Sequence, residues 1–147
     1  MKNEPETYSL EDLKHDKTYV WDGVRNYQAR NHMKEMKKDD LVLYYYSNAN
    51  PSGVAGIAKV EKEAYPDPSQ CVKTSPYFDQ KSTEDNPRWV AVNVAFVHKF
   101  PRVISLQELK ENPFFSDMLV TRKGMRLSVV PVEKKHFDTI LELGGLK

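Results

Sequence analysis

The chain is poor in the residues that announce the commonest kinds of chemistry. Among its 147 residues there is one cysteine, Cys71. That excludes an internal disulfide framework and any cysteine-cluster zinc site. The four histidines, His15, His32, His98 and His136, are scattered, and none has a second His or Cys two to four positions on. No zinc pair is spelled. His32 with Glu35 and His136 with Asp138 read as solvated faces. Charge of either sign is in no excess: 22 Lys and Arg against 21 Asp and Glu leave a formal charge of +1. A protein gripping long duplexes by counterion release alone is usually more basic. A nucleic-acid partner would therefore be read locally, through a pocket or small patch. Long apolar runs are missing too. The longest, near Leu41 to Tyr46, falls far short of the ~18 residues of a membrane span. The polar start Met1 to Glu6 is no signal peptide.

What the chain does have is aromatic. Eight Tyr, six Phe and two Trp make up 11% of it. Such rings supply buried area that a hydrophobic fraction of only 39% would otherwise lack. With no linker and no repeat, residues 1 to 147 are expected to form a single domain. A reducing compartment is the expected location, the cytoplasm of a bacterium or the nucleus of a eukaryote. A monomer with no membrane association is favoured.

Local patterns give a coarse map. Ser9 and Asp12 resemble a capping box before a short helix. Ala29, Met33 and Met36 share one face of a helix running from about Val24 to Lys38 and ended by Asp39-Asp40. Leu41 to Tyr46 is β-rich, stops in the turn composition Ser47 to Gly53, and returns as Val54 to Val60. Glu61 to Pro87 is a polar, proline-bearing excursion. Trp89 to Val97 is the clearest strand. Ser105 and Glu108 cap another short helix, Arg126 to Val132 suggests a last strand, and Lys134 to Leu143 is helical. Interleaved strands and short helices without a βαβ rhythm favour an α+β fold with a small mixed barrel.

Nucleophilic catalysis finds little support. There is no Gly-x-Ser-x-Gly elbow, and Cys71 has no histidine near it in sequence. Gly53-Val54-Ala55-Gly56 lacks the Lys and the spacing of a phosphate loop. Asp67, Asp79 and Lys81 match the loose pattern of metal-dependent nucleases, but in a stretch without the apolar alternation that would place carboxylates on adjacent strands. No metal or cofactor is expected, and no enzyme.

The block Trp21-Asp22-Gly23-Val24-Arg25-Asn26-Tyr27-Gln28-Ala29-Arg30-Asn31 is different. It gathers side chains that stack on a base, bond its edge and meet phosphate. Tyr46-Ser47-Asn48 at a strand end, Tyr77 and Asp79 in the excursion, and Trp89 could converge with it. Arg122, Lys123 and Arg126 form a basic tip. Packing alone also explains the pattern, with Trp21 and Trp89 in the core, Asn26 and Asn48 bonding turn backbone, and the basic tip a solvated loop. From residue types the two readings stay open.

Met1-Lys2-Asn3-Glu4-Pro5, the Trp21 to Asn31 block, Tyr45-Tyr46-Ser47-Asn48, Glu63-Ala64-Tyr65-Pro66-Asp67, Pro87-Arg88-Trp89 and Arg126-Leu127-Ser128 together resemble the EVE domain. The similarity is to the thymocyte nuclear protein type and its bacterial relatives, and it runs in order along nearly the whole chain. The resemblance implies a PUA-like fold, a small mixed β-barrel flanked by short helices and related to YTH and ASCH domains. It implies a module that reads a modified base in DNA or RNA and does not catalyse. By analogy with the aromatic cage of YTH readers, Trp21 would stack on the base. Asn26 and the backbone near Asp22 would meet its edge, and Tyr46, Ser47, Asn48, Tyr77, Asp79 and Trp89 would line the mouth. Lys2, Arg25, Arg30, Arg122 and Lys123 would hold phosphates. Three positions depart from the family pattern: Asn3 for the usual Ser, Tyr46 for the usual His, and Ser69-Gln70-Cys71 for Thr-Gln-Phe. Tyr46 removes a group that titrates near neutral pH. The rival readings are a nuclease or base-processing enzyme on Asp67, Asp79 and Lys81, and a small-molecule sensor using the same cavity.

Overall fold

A computed structural model describes residues 1 to 146. Five strands, β1 (Lys2–Asn3), β2 (Thr18–Trp21), β3 (Leu41–Tyr46), β4 (Gly53–Pro66) and β5 (Val90–Ser105), make one mixed sheet in the order β1-β3-β4-β5-β2. β1 runs parallel to β3 and the other neighbours are antiparallel. The fold is α+β with short helices, as expected, but the sheet is open and not a closed barrel. Its edge strands β1 and β2 do not pair. Tyr8 links β2 to β3 across the opening instead. The Tyr8 ring stacks on Tyr19 of β2 at 3.9 Å, and the Tyr8 carbonyl accepts from the Tyr44 hydroxyl of β3 at 2.8 Å.

Four helices cover the sheet: α1 (Leu10–Asp16), α2 (Tyr27–Glu35), α3 (Leu106–Glu111) and α4 (Lys134–Leu143). Both capping signals are real at the Ser end. The Ser9 hydroxyl accepts from Asp12 N–H while Asp12 accepts from Ser9 N–H, and Ser105 accepts from Glu108 N–H. α1 places Leu10 and Leu13 in the core, fully buried. Each such burial contributes roughly 1.5–3 kcal/mol. One apolar cluster gathers α1, α2 and the sheet around Trp21, Met33 and Tyr44. A second gathers α3, α4 and the Leu43, Val54, Ile57 side of the sheet. None of the helices among the described residues is long and apolar enough to cross a membrane.

The elements differ from the sequence reading in four places. α2 is shorter than Val24 to Lys38 because Asn26 caps it and Met36 turns extended. β4 continues beyond Val60 through exposed Glu61, Lys62 and Glu63 to Pro66, carried by pairing with β5. β5 also runs past Val97, and Pro101 sits where its ladder with β4 skips from Lys99 to Ile104, so no ladder bond is lost to the missing N–H. Residues 126 to 132 form no strand. The chain start occupies that position: Met1 and Lys2 lie against β3 on one side, and the Lys2 N–H donates to the Ser128 carbonyl on the other at 2.8 Å. His136, read as solvated, is buried against Phe114 and Phe115 on α4.

Candidate nucleic-acid interface

The Trp21 to Asn31 block is a strand end, a tight turn and a helix entrance. Gly23 takes φ +76°, and a Cβ there would lie 2.7 Å from the Tyr77 ring, so conformation and space both demand glycine. The Gly23 N–H donates to Asp67 Oδ2 at 2.8 Å. Asp67 is 2% exposed and also accepts from Arg25 Nη1 at 2.9 Å, Ser69 N–H at 2.7 Å and the Ser69 hydroxyl. Burial alone would raise its carboxyl, but the donors from Ser69, Gly23 and Arg25 outweigh that and hold it below the usual range. This carboxylate pins the excursion between β4 and β5 onto the turn after β2.

That pinning consumes Arg25. Its Nε and Nη2 donate to the Tyr77 carbonyl at 3.0 and 2.7 Å, Nη1 to the Val24 carbonyl at 3.0 Å and to Asp67, and Nη2 to Ser69 Oγ at 3.2 Å. A guanidinium has five N–H donors, and all are engaged. The expectation that Arg25 holds phosphate gives way to a structural role. Asn26 is committed in part. Its Oδ1 accepts from Gln28 N–H at 2.9 Å and Ala29 N–H at 3.1 Å, capping α2, while its exposed Nδ2 donates to no described residue.

Trp89 is 6% exposed, donates its indole N–H to Asp79 at 2.7 Å and stacks on Tyr27 at 4.8 Å. Asp79 takes a second donor from Lys81 N–H at 2.9 Å. Trp89 and Asp79 therefore act as scaffold, and the accessible ring of that pair is Tyr27, 50% exposed. The sequence reading had included Tyr27 in the block without giving it a role. Tyr46, Ser47 and Asn48 clip the chain start: Tyr46 Oη accepts from Leu10 N–H at 3.0 Å, Ser47 N–H donates to the Asn3 carbonyl, and Asn48 Nδ2 donates to Glu4 at 2.7 Å. The nuclease residues find no common centre. Asp67 and Asp79 are spent on these donors, and among the described residues no three His, Cys, Asp or Glu stand where they could hold a metal ion.

The groups left over lie at Trp21. Its indole is 5% exposed and packs edge-on against Tyr19 and Tyr44, with centroids 5.9 and 5.7 Å away. Most of the ring is core, as packing alone anticipates. Yet its N–H donates to no described residue. The only fully enclosed side-chain nitrogen or oxygen without a hydrogen bond among the described residues is His136 Nε2, which lies 3.1 Å from Asp117 Oδ1. The Trp21 nitrogen is therefore not fully enclosed. The next residue in the chain, Asp22, is half-buried. Burial and the neighbouring Asp67 charge raise its carboxyl above the ordinary range. No described residue's side chain or backbone beyond its own bonds it. Asn3 closes the other side, facing the Tyr19 and Tyr44 hydroxyls. Tyr77, 42% exposed, lies over Gly23 at the mouth. Asn3 and Tyr19 were not among the expected site residues. Their signal was the short parallel strand β1, which a two-residue sequence pattern cannot show.

The expected phosphate ligands also separate. Lys2 is half-buried, its ammonium 5.5 Å from the Tyr45 ring centroid, and burial lowers its basicity. Arg30 bonds the Arg88 carbonyl at 3.0 Å and the Asn31 side chain and lies over Tyr27 at 4.7 Å. Arg122 and Lys123 are exposed with no ion pair or side-chain hydrogen bond among the described residues. The Lys2–Ser128 hydrogen bond brings the chain that follows them to the Asn3 side of the mouth.

The EVE domain model matches residues 1–143. Thymocyte nuclear protein 1 of mouse is 44% identical over 163 aligned residues, covering 97% of this chain and 71% of that protein. The human protein is 42% identical, covering 97% and 72%. Among solved structures, human THYN1 in complex with 5-methylcytosine-containing DNA superposes with a TM-score of 0.92 at 40% identity, covering 100% of this chain and 96% of that one. A Pseudomonas putida protein superposes at 0.95 with 42% identity, covering 98% and 97%.

Proposed function

The chain belongs to the EVE domain family, and on that premise we propose that it is a DNA-binding module that reads a modified, flipped cytosine at Trp21. The observation that carries this reading is the pair of groups the fold leaves unspent. Trp21, whose indole N–H has no partner among the described residues, is followed in the chain by a half-buried Asp22 carboxyl with no donor of its own. Cytosine offers a matching edge, an exocyclic N–H donor next to ring acceptors. Thymine turns a carbonyl toward the same carboxylate and is repelled. A good bidentate pair is worth about 1–3 kcal/mol of discrimination. The Trp21 ring edge, Tyr19 and Tyr77 form the apolar surround in which a ring methyl would gain contact.

Flipping costs a few kcal/mol, least where the base is altered or already unpaired. Stacking of about 1–3 kcal/mol per base on exposed Tyr77 and Tyr27 supplies part of that. Arg122, Lys123 and Lys2 position the backbone without reading sequence. The carboxylates and arginine that looked catalytic or phosphate-binding hold the mouth in shape. Human THYN1 was crystallised with 5-methylcytosine DNA, which supports DNA as the partner and cytosine as the base.

The test is titration of duplexes differing by one 5-methylcytosine, cytosine or thymine, with Trp21→Phe and Asp22→Asn beside the parent. Trp21→Phe removes the N–H together with part of the buried ring volume, so its folding is checked by chemical denaturation beside the titration. Each variant should lose preference for cytosine, methylated or not, over thymine by roughly tenfold, the loss of one edge bond. If both keep the parent's preference, the base does not sit at Trp21.

A further inference from the structure

A second binding surface lies along the part of β3 that β1 does not reach. β1 pairs with β3 only at Tyr45 and Tyr46. Just upstream, the Leu43 carbonyl accepts from the Met1 nitrogen at 3.0 Å and Tyr45 N–H donates to the Met1 carbonyl at 2.8 Å. Odd-numbered residues of β3 therefore turn their backbone groups away from β4. Leu41 N–H, Leu41 C=O and Leu43 N–H follow that direction and meet no partner among the described residues. An edge with three unpaired groups is a template for another strand.

The edge opens into a groove of about 650 Å³. Its floor is apolar, made by Met1, Val42, Val60 and Phe137, and its far wall is the non-strand segment from Val129 to Val132. Leu41 stands at the rim with 52% of its surface exposed. The rim is acidic. Glu35, Asp39 and Asp40 line it, and none forms an ion pair among the described residues. The cation that lines it, Lys134, is engaged by Asp138 at 2.7 Å, and Lys37 and Lys38 do not line it.

We propose that this groove docks an extended peptide segment of a partner protein, alternating apolar and basic residues, that adds to β3 in line with β1. Ladder bonds to Leu41 and Leu43 hold the backbone, alternate apolar side chains fill the floor, and the basic ones meet Glu35, Asp39 and Asp40. The lining does not include the Trp21 mouth, so DNA and peptide can be held together. The proposal does not rest on the base-reading role.

The probe is a fluorescent peptide of alternating Lys and Val, titrated by anisotropy into the full chain carrying any tag at its C-terminal end. Two controls are the same peptide with Glu for Lys and one methylated at alternate backbone nitrogens. Saturable binding is expected, weakened about tenfold in each control by lost ion pairing or ladder bonds. Amide shifts should fall on Leu41 to Leu43 and Val129 to Val132. Glu35→Lys should narrow the gap between the Lys and Glu peptides. No binding at millimolar peptide, equal binding of either control, or shifts confined to the Trp21 mouth would each overturn it.

Discussion

Asp67→Asn removes one charge and no volume, and its cost can be worked from the bonds around it. The carboxylate receives Gly23 N–H and Arg25 Nη1 on Oδ2, and Ser69 N–H and its hydroxyl on Oδ1. An asparagine retains one oxygen. Its NH₂ must face either Gly23 and Arg25 or Ser69 N–H, and donor then meets donor. At least one buried hydrogen bond is lost outright and Arg25 loses its counter-charge. Removing one partner of a fully buried pair costs about 3–5 kcal/mol. Arg25 keeps 23% of its side-chain surface in solvent, so water screens part of that, and about 2–3 kcal/mol is expected. Urea unfolding of the parent, Asp67→Asn, Arg25→Met and the double variant gives the coupling between the two directly. It should be at least about 1 kcal/mol. The pH sign follows from the depressed carboxyl. Folding holds the pKa of Asp67 below its ordinary value of 3.8. Its contribution is therefore complete above that value and is lost as pH falls toward the folded one. Asp67→Asn should flatten that acid limb of the stability curve. Additive single-variant losses, or an unchanged acid limb, would refute the latch.

Asn26→Ala should cost about 1 kcal/mol of stability, as loss of a helix cap does, while leaving preference among bases unchanged once folded. Chemical denaturation and DNA titration check both halves. Gly23→Ala meets both a left-handed backbone and the Tyr77 ring, so it should destabilise by more than about 1 kcal/mol. It should also shift Tyr77 resonances by NMR. Replacing both Arg122 and Lys123 by alanine should weaken binding to all duplexes alike and reduce the salt slope of log K by up to about 2, with modified-base preference intact. A lost preference would place those side chains at the base instead.

Much of the architecture was legible where a local rule has one outcome. Ser9 and Ser105 announced helix starts, and Leu41 to Tyr46 with a Gly-Pro-Asn turn announced the hairpin. What could not be read depended on neighbours distant in sequence. β1 is two residues long and exists because β3 and Ser128 flank it. The same occupation kept residues 126 to 132 from becoming a strand. β4 beyond Val60 is polar and alternates nothing, and is held extended only by its ladder to β5. The local patterns and the family resemblance both pointed to a barrel, while the hydrogen bonding leaves the sheet open between β1 and β2.

The candidate site was legible in another sense: residue types mark a block that could bind, but several side chains within it already have partners in the fold. Residue type shows what a side chain can offer, not whether the fold has already taken it. Arg25 can bind phosphate, yet Asp67, Ser69, Val24 and Tyr77 use every donor it has. Asn26 can read a base edge, yet its oxygen closes α2. Trp89 can stack, yet Tyr27 and Asp79 hold it. Subtracting those commitments leaves Trp21 N–H, Asp22, the Asn26 amide nitrogen, the free face of Tyr77, and the cations Arg122 and Lys123. A binding site consists of the groups the fold has left unsatisfied. By that criterion the expensive latch at Asp67 is what makes the mouth possible. It fixes Gly23, and with it Asp22, in an arrangement that a flexible turn would dissolve into solvent-bonded alternatives.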